Sequence, residues 1–411
     1  MSLLVTLAVA RYLLPDQFGQ LNYLIAIVSL ISPLLALGLN SIISRELLLR
    51  PEDNHQIMGS ALALRSFSAV CILPLAIWAA SLFVDESQIT LITVLMLFSV
   101  FNAAQVVDFW LQAHVANRYA AVIRLISLAI FSVARLAAVK YSAAFSVFVY
   151  LAAFEMAFTG LLYLFTYERL SGGVRKLHAS LEESKRLVRD GRWLIISGVA
   201  AVIYLKIDQI MLGLMIDERA VGVYAAAARV SEVWYFIPAA IAMSFFPKLI
   251  KTREANKACY ELELQKINDF LFCSGLAIAV LVSLLANWII LLFGDAYIES
   301  GPVLIAHIWA GVFVFTRALL SKWLITENLL RLSMFSQVLG AAVNVILNMK
   351  LIPLYGPVGA AYATVVSYAA AGHLVLFFHR DLWPMAIVVT KSILLPIRFI
   401  QKGRRLYDAQ H

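Results

Sequence analysis

The sequence predicts an all-α polytopic membrane protein of about 12 transmembrane helices in two six-helix lobes, and three observations predict it. Hydrophobic residues make up 62% of the 411 residues and charged residues only 14%, with a mean hydropathy of +0.85. A soluble domain is nearer half apolar and a quarter charged, so this chain cannot hide its apolar surface in a water-facing globule. Apolar runs of about 20 residues, the length that crosses a bilayer core, recur along the whole chain. Lysine and arginine gather in alternate connections between those runs, which is how membrane topology is written.

In order, the runs predict helices over 1–14, 21–44, 59–83, 89–111, 119–139 and 144–166. They continue over 192–216, 219–247, 266–293, 302–325, 331–353 and 356–379. The first is short for a span and Pro15 ends it, so either the true start is expected upstream or this span is thinned. Met1 opens straight into apolar residues with no basic leader, which fits a signal peptide poorly. The stretch from Ala386 to Ile400 is interrupted by Lys391, Pro396 and Arg398 and reads as an interfacial helix. The long basic connection from Tyr167 to Gly191 divides the chain. The expected domains are an N-terminal lobe 1–170, a basic cytoplasmic linker 171–191, a C-terminal lobe 192–380, and an interfacial helix with a basic cytoplasmic tail over 381–411.

One set of connections holds Arg45, Arg50 and Arg118, the run from Arg169 to Arg192, Lys248 to Lys266, Arg331 and the tail from Arg380. The other holds only Arg11, Lys140, Arg219 and Lys350. The first set is therefore expected in the cytoplasm, together with both termini. The halves echo each other: Phe18-Gly19-Gln20-Leu21 opens a helix with Pro33, and Val221-Gly222-Val223-Tyr224 opens one with Pro238. A six-helix repeat keeps its orientation, so the relating axis runs along the membrane normal, as in secondary transporters.

Ionisable groups inside hydrocarbon are costly and normally face a partner or a wet cavity. Arg65, Asp108, Arg124, Arg135 and Lys322 lie within a few residues of predicted helix ends, where they can snorkel. Arg124 and Arg135, eleven apart, share a helix face. Lys206, Asp208, Arg229 and Glu232 flank the turn at Asp217-Glu218-Arg219 at depths of roughly 15–21 Å, near the midplane. They read either as the ion pairs Asp208–Arg229 and Lys206–Glu232 locking a hairpin, or as the charged floor of a cavity. Glu155 sits mid-helix with no charge near it in sequence, and is either hydrogen-bonded to a neighbouring helix or a proton carrier. Gln337, Asn344 and Asn348 form a polar stripe, read first as helix–helix glue and second as the lining of a wet path. Arg317 is intermediate in depth.

Intramembrane cations (Arg65, Arg124, Arg135, Lys206, Arg229, Arg317, Lys322) outnumber acids (Asp108, Glu155, Asp208, Glu232). A positive cavity walled by low dielectric favours an anionic cargo, and arginine suits phosphate through its bidentate fork. The net charge of +8 does not indicate nucleic acid, because the basic residues are not clustered with aromatics. Cys71, Cys259 and Cys273 form neither a CxxC pair nor a metal spacing. His307 and His373 are isolated and read as packing residues. No P-loop, GxSxG or HExxH is present, and the predicted outer connections are too short for a catalytic loop. The expectation is a transporter, not an enzyme, without metal or cofactor.

Pro15-Asp16-Gln17-Phe18-Gly19, Gly38-Leu39-Asn40 and Ser44-Arg45-Glu46 resemble the signature of polysaccharide-biosynthesis membrane proteins. Leu205-Lys206-Ile207-Asp208-Gln209-Ile210-Met211-Leu212-Gly213 carries a more specific likeness, with Val221-Gly222-Val223-Tyr224-Ala225 and Ala228-Arg229-Val230-Ser231-Glu232 after it. Together these resemble the Wzx-type flippases of the multidrug/oligosaccharidyl-lipid/polysaccharide exporter superfamily. The resemblance covers nearly the whole chain apart from the shortened first helix and the last twenty-odd residues. It implies two lobes around a central cavity in the bacterial inner membrane, moving undecaprenyl-diphosphate-linked oligosaccharide to the periplasmic leaflet for O-antigen (lipopolysaccharide), capsule or exopolysaccharide. Polysaccharide polymerase and chain-length machinery are the partners it implies. On that reading Lys206 and Arg229 attract the diphosphate, helped by Arg317 or Arg124, while Asp208, Glu232 or Glu155 reset the cavity by ion exchange. A drug or organic-cation antiporter of the same superfamily is the first rival, and a membrane-embedded polymerase or ligase the second.

Overall fold

The computed structural model describes residues 3–171, 173–395 and 398, and the described residues are helical with no strand. Nine of the described helices are long and apolar enough to cross a membrane. Large apolar side chains such as Trp78, Leu284 and Trp288 point outward at 65%, 76% and 73% exposure, which only a lipid solvent accommodates. Contacts gather the chain into two compact units, Met1–Gly222 and Val223–His411.

In the first unit α1 (Leu3–Ala36) runs through both of the first two predicted helices, broken at Leu14, where φ is 58°. Proline disfavours helical backbone in the residue before it and is itself at home in a first helical turn, so Pro15 ends one arm and starts the next. The second arm stops at Ala36, short of the expected residue 44. Leu37 and Gly38 take left-handed backbone, at φ 51° and 61°, and a separate α2 (Asn40–Leu49) follows. Gly38 is needed twice over, since a Cβ there would lie 2.6 Å from the Ile195 amide nitrogen.

α3 (Asn54–Ala80) starts five residues before its predicted onset. The fourth predicted helix is α4 (Glu86–Phe98) and α5 (Val106–Ala113) joined by a 3-10 stretch, Ser99–Gln105. α6 (Asn117–Lys140) and α7 (Phe145–Ser171) follow as expected. α8 (Leu181–Met215) begins inside the expected linker, because Ser180-Leu181-Glu182-Glu183 supplies a cap: the Ser180 hydroxyl accepts from the Glu183 amide at 3.5 Å. The linker is pinned further where the Ser180 amide donates to Ser60 Oγ at 3.0 Å. A buried cluster including Leu39, Ile43, Ile57, Leu111, Ile123 and Tyr167 closes this end of the unit.

α9 (Glu218–Glu232) spans the boundary between the units, and a 3-10 turn, Val233–Tyr235, joins it to α10 (Phe236–Ala255). In the second unit α11 (Lys257–Leu291) precedes α12 (Ser300–His307) and α13 (Ala310–Thr326), which replace the single predicted helix 302–325. α14 (Leu330–Gly372) contains both of the last predicted helices, reversing at Gly356, where φ is 58° and Pro357 follows. The reversal is tight: a Cβ on Gly359 would lie 2.1 Å from the Leu351 carbonyl oxygen.

The expected interfacial helix 386–400 is α15 (Trp383–Ile393), and it docks on α11. Met385, Ala386, Val388 and Val389 are buried, while Trp383 and Ile387 face outward. Asp269 accepts from the Ser392 hydroxyl at 2.6 Å, and Asn268 Nδ2 donates to the same hydroxyl at 2.8 Å. A polar handle on one face thus draws the helix into the unit. Of the helix and tail expected over 381–411, residues 396, 397 and 399–411 lie outside the described residues.

Candidate functional site

Three of the first unit's intramembrane charges, Arg124, Arg135 and Glu155, stand on α6 and α7. On α6, Arg124, Ser127, Phe131 and Arg135 share one face, and on α7 so do Glu155, Thr159 and Tyr163. Arg135 Nη2 donates to Glu155 Oε2 at 2.5 Å, with the arginine side chain only 4% exposed. Thr159 Oγ1 donates to Ser127 Oγ at 2.9 Å, and Phe158 stacks edge-on against Phe131. Toward the other end of α6, Arg124 Nη2 donates to Asp108 Oδ2 at 2.6 Å, joined there by Gln112 at 3.2 Å. Glu155, which has no charge near it in sequence, therefore takes a neighbouring helix's arginine. Arg135 does not snorkel to an interface but is buried on that carboxylate.

Arg65 does not snorkel either. α3 begins early enough to place it eleven residues into the helix, buried, with its guanidinium 5.7 Å from the Phe109 ring centroid. Lys206 is half-buried and Asp208 fully buried on α8, and both are engaged by neighbouring groups. These two belong to the first unit; Arg229 and Glu232, half-buried on α9 and three residues apart, belong to the second.

The second unit satisfies its interior with neutral groups. Asn344 and Asn348, both wholly buried on the first arm of α14, are linked at 3.0 Å, and Asn344 Nδ2 reaches Ser367 Oγ on the second arm at 3.2 Å. Tyr224 Oη and Thr364 Oγ1 lie 3.1 Å apart, and the Tyr224 ring meets His307 edge-on at 5.5 Å. The asparagine stripe thus acts as glue between the arms of α14; Gln337 is half-buried beyond it. His373 Nε2 lies 3.0 Å from Thr390 Oγ1. Arg317 Nη1 donates at 2.8 Å to both Ser336 Oγ and the Ala371 carbonyl, placing its positive charge at the C-terminal end of α14. Lys322 Nζ stands 5.3 Å from the Phe246 ring centroid.

A charged cluster that sequence reasoning missed ties α2 to α8. Glu46, 1% exposed, accepts from Arg45 at 2.7 Å, Arg50 at 2.8 Å and Arg186 at 3.1 Å. Arg50 also donates to Glu183 at 2.5 Å, and Arg45 approaches Asp190 at 3.7 Å. Burial pushes the Glu46 carboxyl up, but the hydrogen bonds from Arg45 and Arg50 and the charge of Arg186 outweigh it and hold the group below its ordinary value. The hydrogen bond to Glu183 raises Arg50 despite its own burial. The signal in the sequence was an acid set among basic loop residues, at Ser44-Arg45-Glu46.

Among the described residues no group of three or more His, Cys, Asp or Glu side chains could hold a metal ion. Cys71, Cys259 and Cys273 are free and exposed.

Residues 1–253 match the family described as polysaccharide biosynthesis protein. A probable flippase, AglR of Haloferax volcanii, is 29% identical over 175 residues. That match covers 40% of this chain and 35% of that protein, so the aligned part spans about a third of the relative. Among solved structures, the lipid II flippase MurJ in an inward closed conformation superposes with a TM-score of 0.72 at 15% identity, covering 97% of this chain and 90% of that one. An inward-facing multidrug resistance MATE family transporter of the MOP superfamily gives 0.74 at 18% identity, covering 95% of each chain. The chain has the helical fold of these transporters.

Proposed function

The chain belongs to the polysaccharide biosynthesis protein family, and from that premise we propose that it is a flippase for polyprenyl-diphosphate-linked oligosaccharide, working by alternating access. One observation carries the reading: seven intramembrane cations stand against four intramembrane acids in the sequence. Asp108 engages Arg124 and Glu155 engages Arg135. A membrane interior of that sign suits a diphosphate and repels an organic cation. The name of the archaeal relative, a probable flippase, supports the same reading.

In this proposal Lys206 and Arg229 attract the diphosphate and Asp208 and Glu232 reset the site. Arg124 and Arg317 move to supporting positions because Asp108 and the end of α14 hold them, and Glu155 serves as counter-ion to Arg135. The cargo carries an undecaprenyl chain and serves O-antigen, capsule or exopolysaccharide assembly, handed on to polymerase and chain-length machinery. The basic ends of the helices face the cytoplasm of a bacterial inner membrane, with both termini on that side. A count of twelve spans is supported by the breaks in α1 and α14, which split two of the nine apolar helices, and by α9–α10 as one further crossing. The two six-helix lobes around a central cavity follow the repeat in the sequence.

Arg229→Ala, with membrane insertion verified, is expected to abolish surface polysaccharide; normal polysaccharide in that variant removes Arg229 from the site. The MATE-like fold keeps the antiporter rival in play. Sensitivity of a deletion strain to cationic dyes with intact surface polysaccharide would select that rival.

A further inference from the structure

The ion pair between α6 and α7 leaves hydrogen-bonding capacity unused beside it. Arg135 is 3% exposed; its Nη2 is taken by Glu155, while Nη1 is buried and has no partner among the described residues. Ser132, one turn earlier on α6, likewise buries its Oγ without a partner. Helical side chains lean toward the N-terminus, so the Arg135 guanidinium lies over the turn that carries Ser132. Other serines in this chain close the hydroxyl on the carbonyl four residues back: Ser29 on Ile25 at 2.7 Å, Ser244 on Ala240 at 2.9 Å and Ser274 on Phe270 at 2.8 Å. Ser132 does not. Buried donors are nearly always paired, and two orphans on one turn call for a partner from outside the fold.

The acceptor stands next to them. The Glu155 side chain is 28% exposed, so its carboxylate forms the open edge of the pair, with Arg135 behind it. That edge does not face lipid on the α6 side. Arg124, Ser132 and Arg135 follow at i, i+8 and i+11, and the exposed apolar Leu125, Val133 and Leu136 lie about a third of a turn away. The half-buried Phe158, three residues along α7 from Glu155, presents apolar surface beside the carboxylate.

We propose that Ser132, Arg135 and Glu155 form a sugar-reading subsite, which takes adjacent hydroxyls of one sugar ring in the cargo. An anion brought here meets the Glu155 carboxylate, and a cation meets the Arg135 guanidinium. The pair is neutral as a whole, with spare donors on one side and an acceptor on the other. A neutral group that both accepts and donates suits it, and a sugar hydroxyl is such a group. Glu155 accepts from one hydroxyl, while Arg135 Nη1 and Ser132 Oγ donate to the sugar oxygens. The C–H face of the ring rests on Phe158. The sugar adds to the ion pair and does not split it. This rests on the flippase reading above, and the subsite lies wholly within the first unit, apart from the residues assigned to the diphosphate.

The test is Ser132→Ala, which removes the orphaned hydroxyl and breaks no hydrogen bond of the fold, so its unfolding midpoint is expected to match wild type. Affinity is measured in nanodiscs for two probes. One is the polyprenyl-diphosphate-linked glycan extracted from a strain deleted for this gene, and the other is undecaprenyl diphosphate without sugar. Ser132→Ala is expected to weaken the first about fivefold, the scale of one hydrogen bond, and to leave the second unchanged. Ser132→Thr keeps a hydroxyl and is expected to bind the glycan lipid within about twofold of wild type. An unchanged affinity of Ser132→Ala for the glycan lipid, or an equal loss for both probes, overturns the proposal. So does an effect that appears only when chloride replaces gluconate in the buffer, which would make the occupant a small anion. Wild-type protein that binds neither probe sinks the flippase reading instead.

Discussion

The two units solve the same problem, polar groups inside a membrane protein, with different chemistry. The first pairs ions: Arg135 with Glu155, Arg124 with Asp108, and the three arginines around Glu46. The second also has ion pairs, Lys248–Glu263 and Arg253–Glu327, but the polar groups deep in its helices use amides, hydroxyls and carbonyls: Asn348 to Asn344 to Ser367, Tyr224 with Thr364, and Arg317 on a carbonyl. An ion pair buried in low dielectric is costly to split, because the survivor is left uncompensated. A neutral hydrogen bond between helices is worth less, since each partner finds substitutes when separated. The first unit is thus built to stay assembled as a body, and the second holds its arms together with contacts that cost less to break.

That contrast can be broken by removing one member from each network. Glu155→Ala leaves Arg135 buried without its carboxylate and is expected to cost about 3 kcal/mol, read as a fall in the unfolding midpoint of detergent-solubilised protein. The double variant Glu155→Ala/Arg135→Leu should recover most of that loss; no recovery would show that the pair's charges do not matter. Arg317→Met removes two charge-assisted hydrogen bonds from the end of α14 and is expected to cost about 2 kcal/mol. Asn344→Ala, in the neutral ladder, is expected to cost about 1 kcal/mol, and a loss as large as that of Glu155→Ala would abolish the distinction between the units.

Acid gives the smallest and most selective test. Glu46 binds its proton less readily in the folded protein than the ordinary carboxyl value of 4.5. Its contribution to stability is therefore complete above that value and is lost as the pH falls through the lower folded one. Glu46→Gln should be less stable than wild type at neutral pH, with the difference shrinking below about pH 4.5. The second unit's asparagine ladder has no ionisable member, so Asn344→Ala should show the same deficit across that range. Parallel stability profiles for Glu46→Gln and wild type would remove the ionic role assigned to this cluster.

Some of this arrangement was readable in advance. Asn344 and Asn348 lie four apart on one helix, so their shared polar face was legible from spacing, with glue the first of two readings of it. The spans were visible because burial in lipid demands about 20 apolar residues whatever the neighbours are. Helix ends were less visible: the second predicted helix was carried to residue 44, but α1 stops at Ala36 and a separate α2 begins at Asn40, inside one apolar run. Partners were the least visible. Glu155 and Arg135 are 20 residues apart and Glu46 and Arg186 are 140 apart, and no period or motif connects such positions. The docking of α15 was hidden for a related reason, since Ser392 gives no sign in the sequence that Asn268 and Asp269 await it.

The sequence by itself determined the solvent of this protein, its secondary structure class and the sign of the charge in its interior. Those depend on composition and local spacing, and every residue contributes to them independently. Only the tertiary structure decided which charges neutralise each other and which helix faces meet. Glycines at 19, 38, 198, 213 and 222 read as scattered small residues until α1 and α8 are laid side by side, because close packing is a property of two surfaces and neither helix carries it alone.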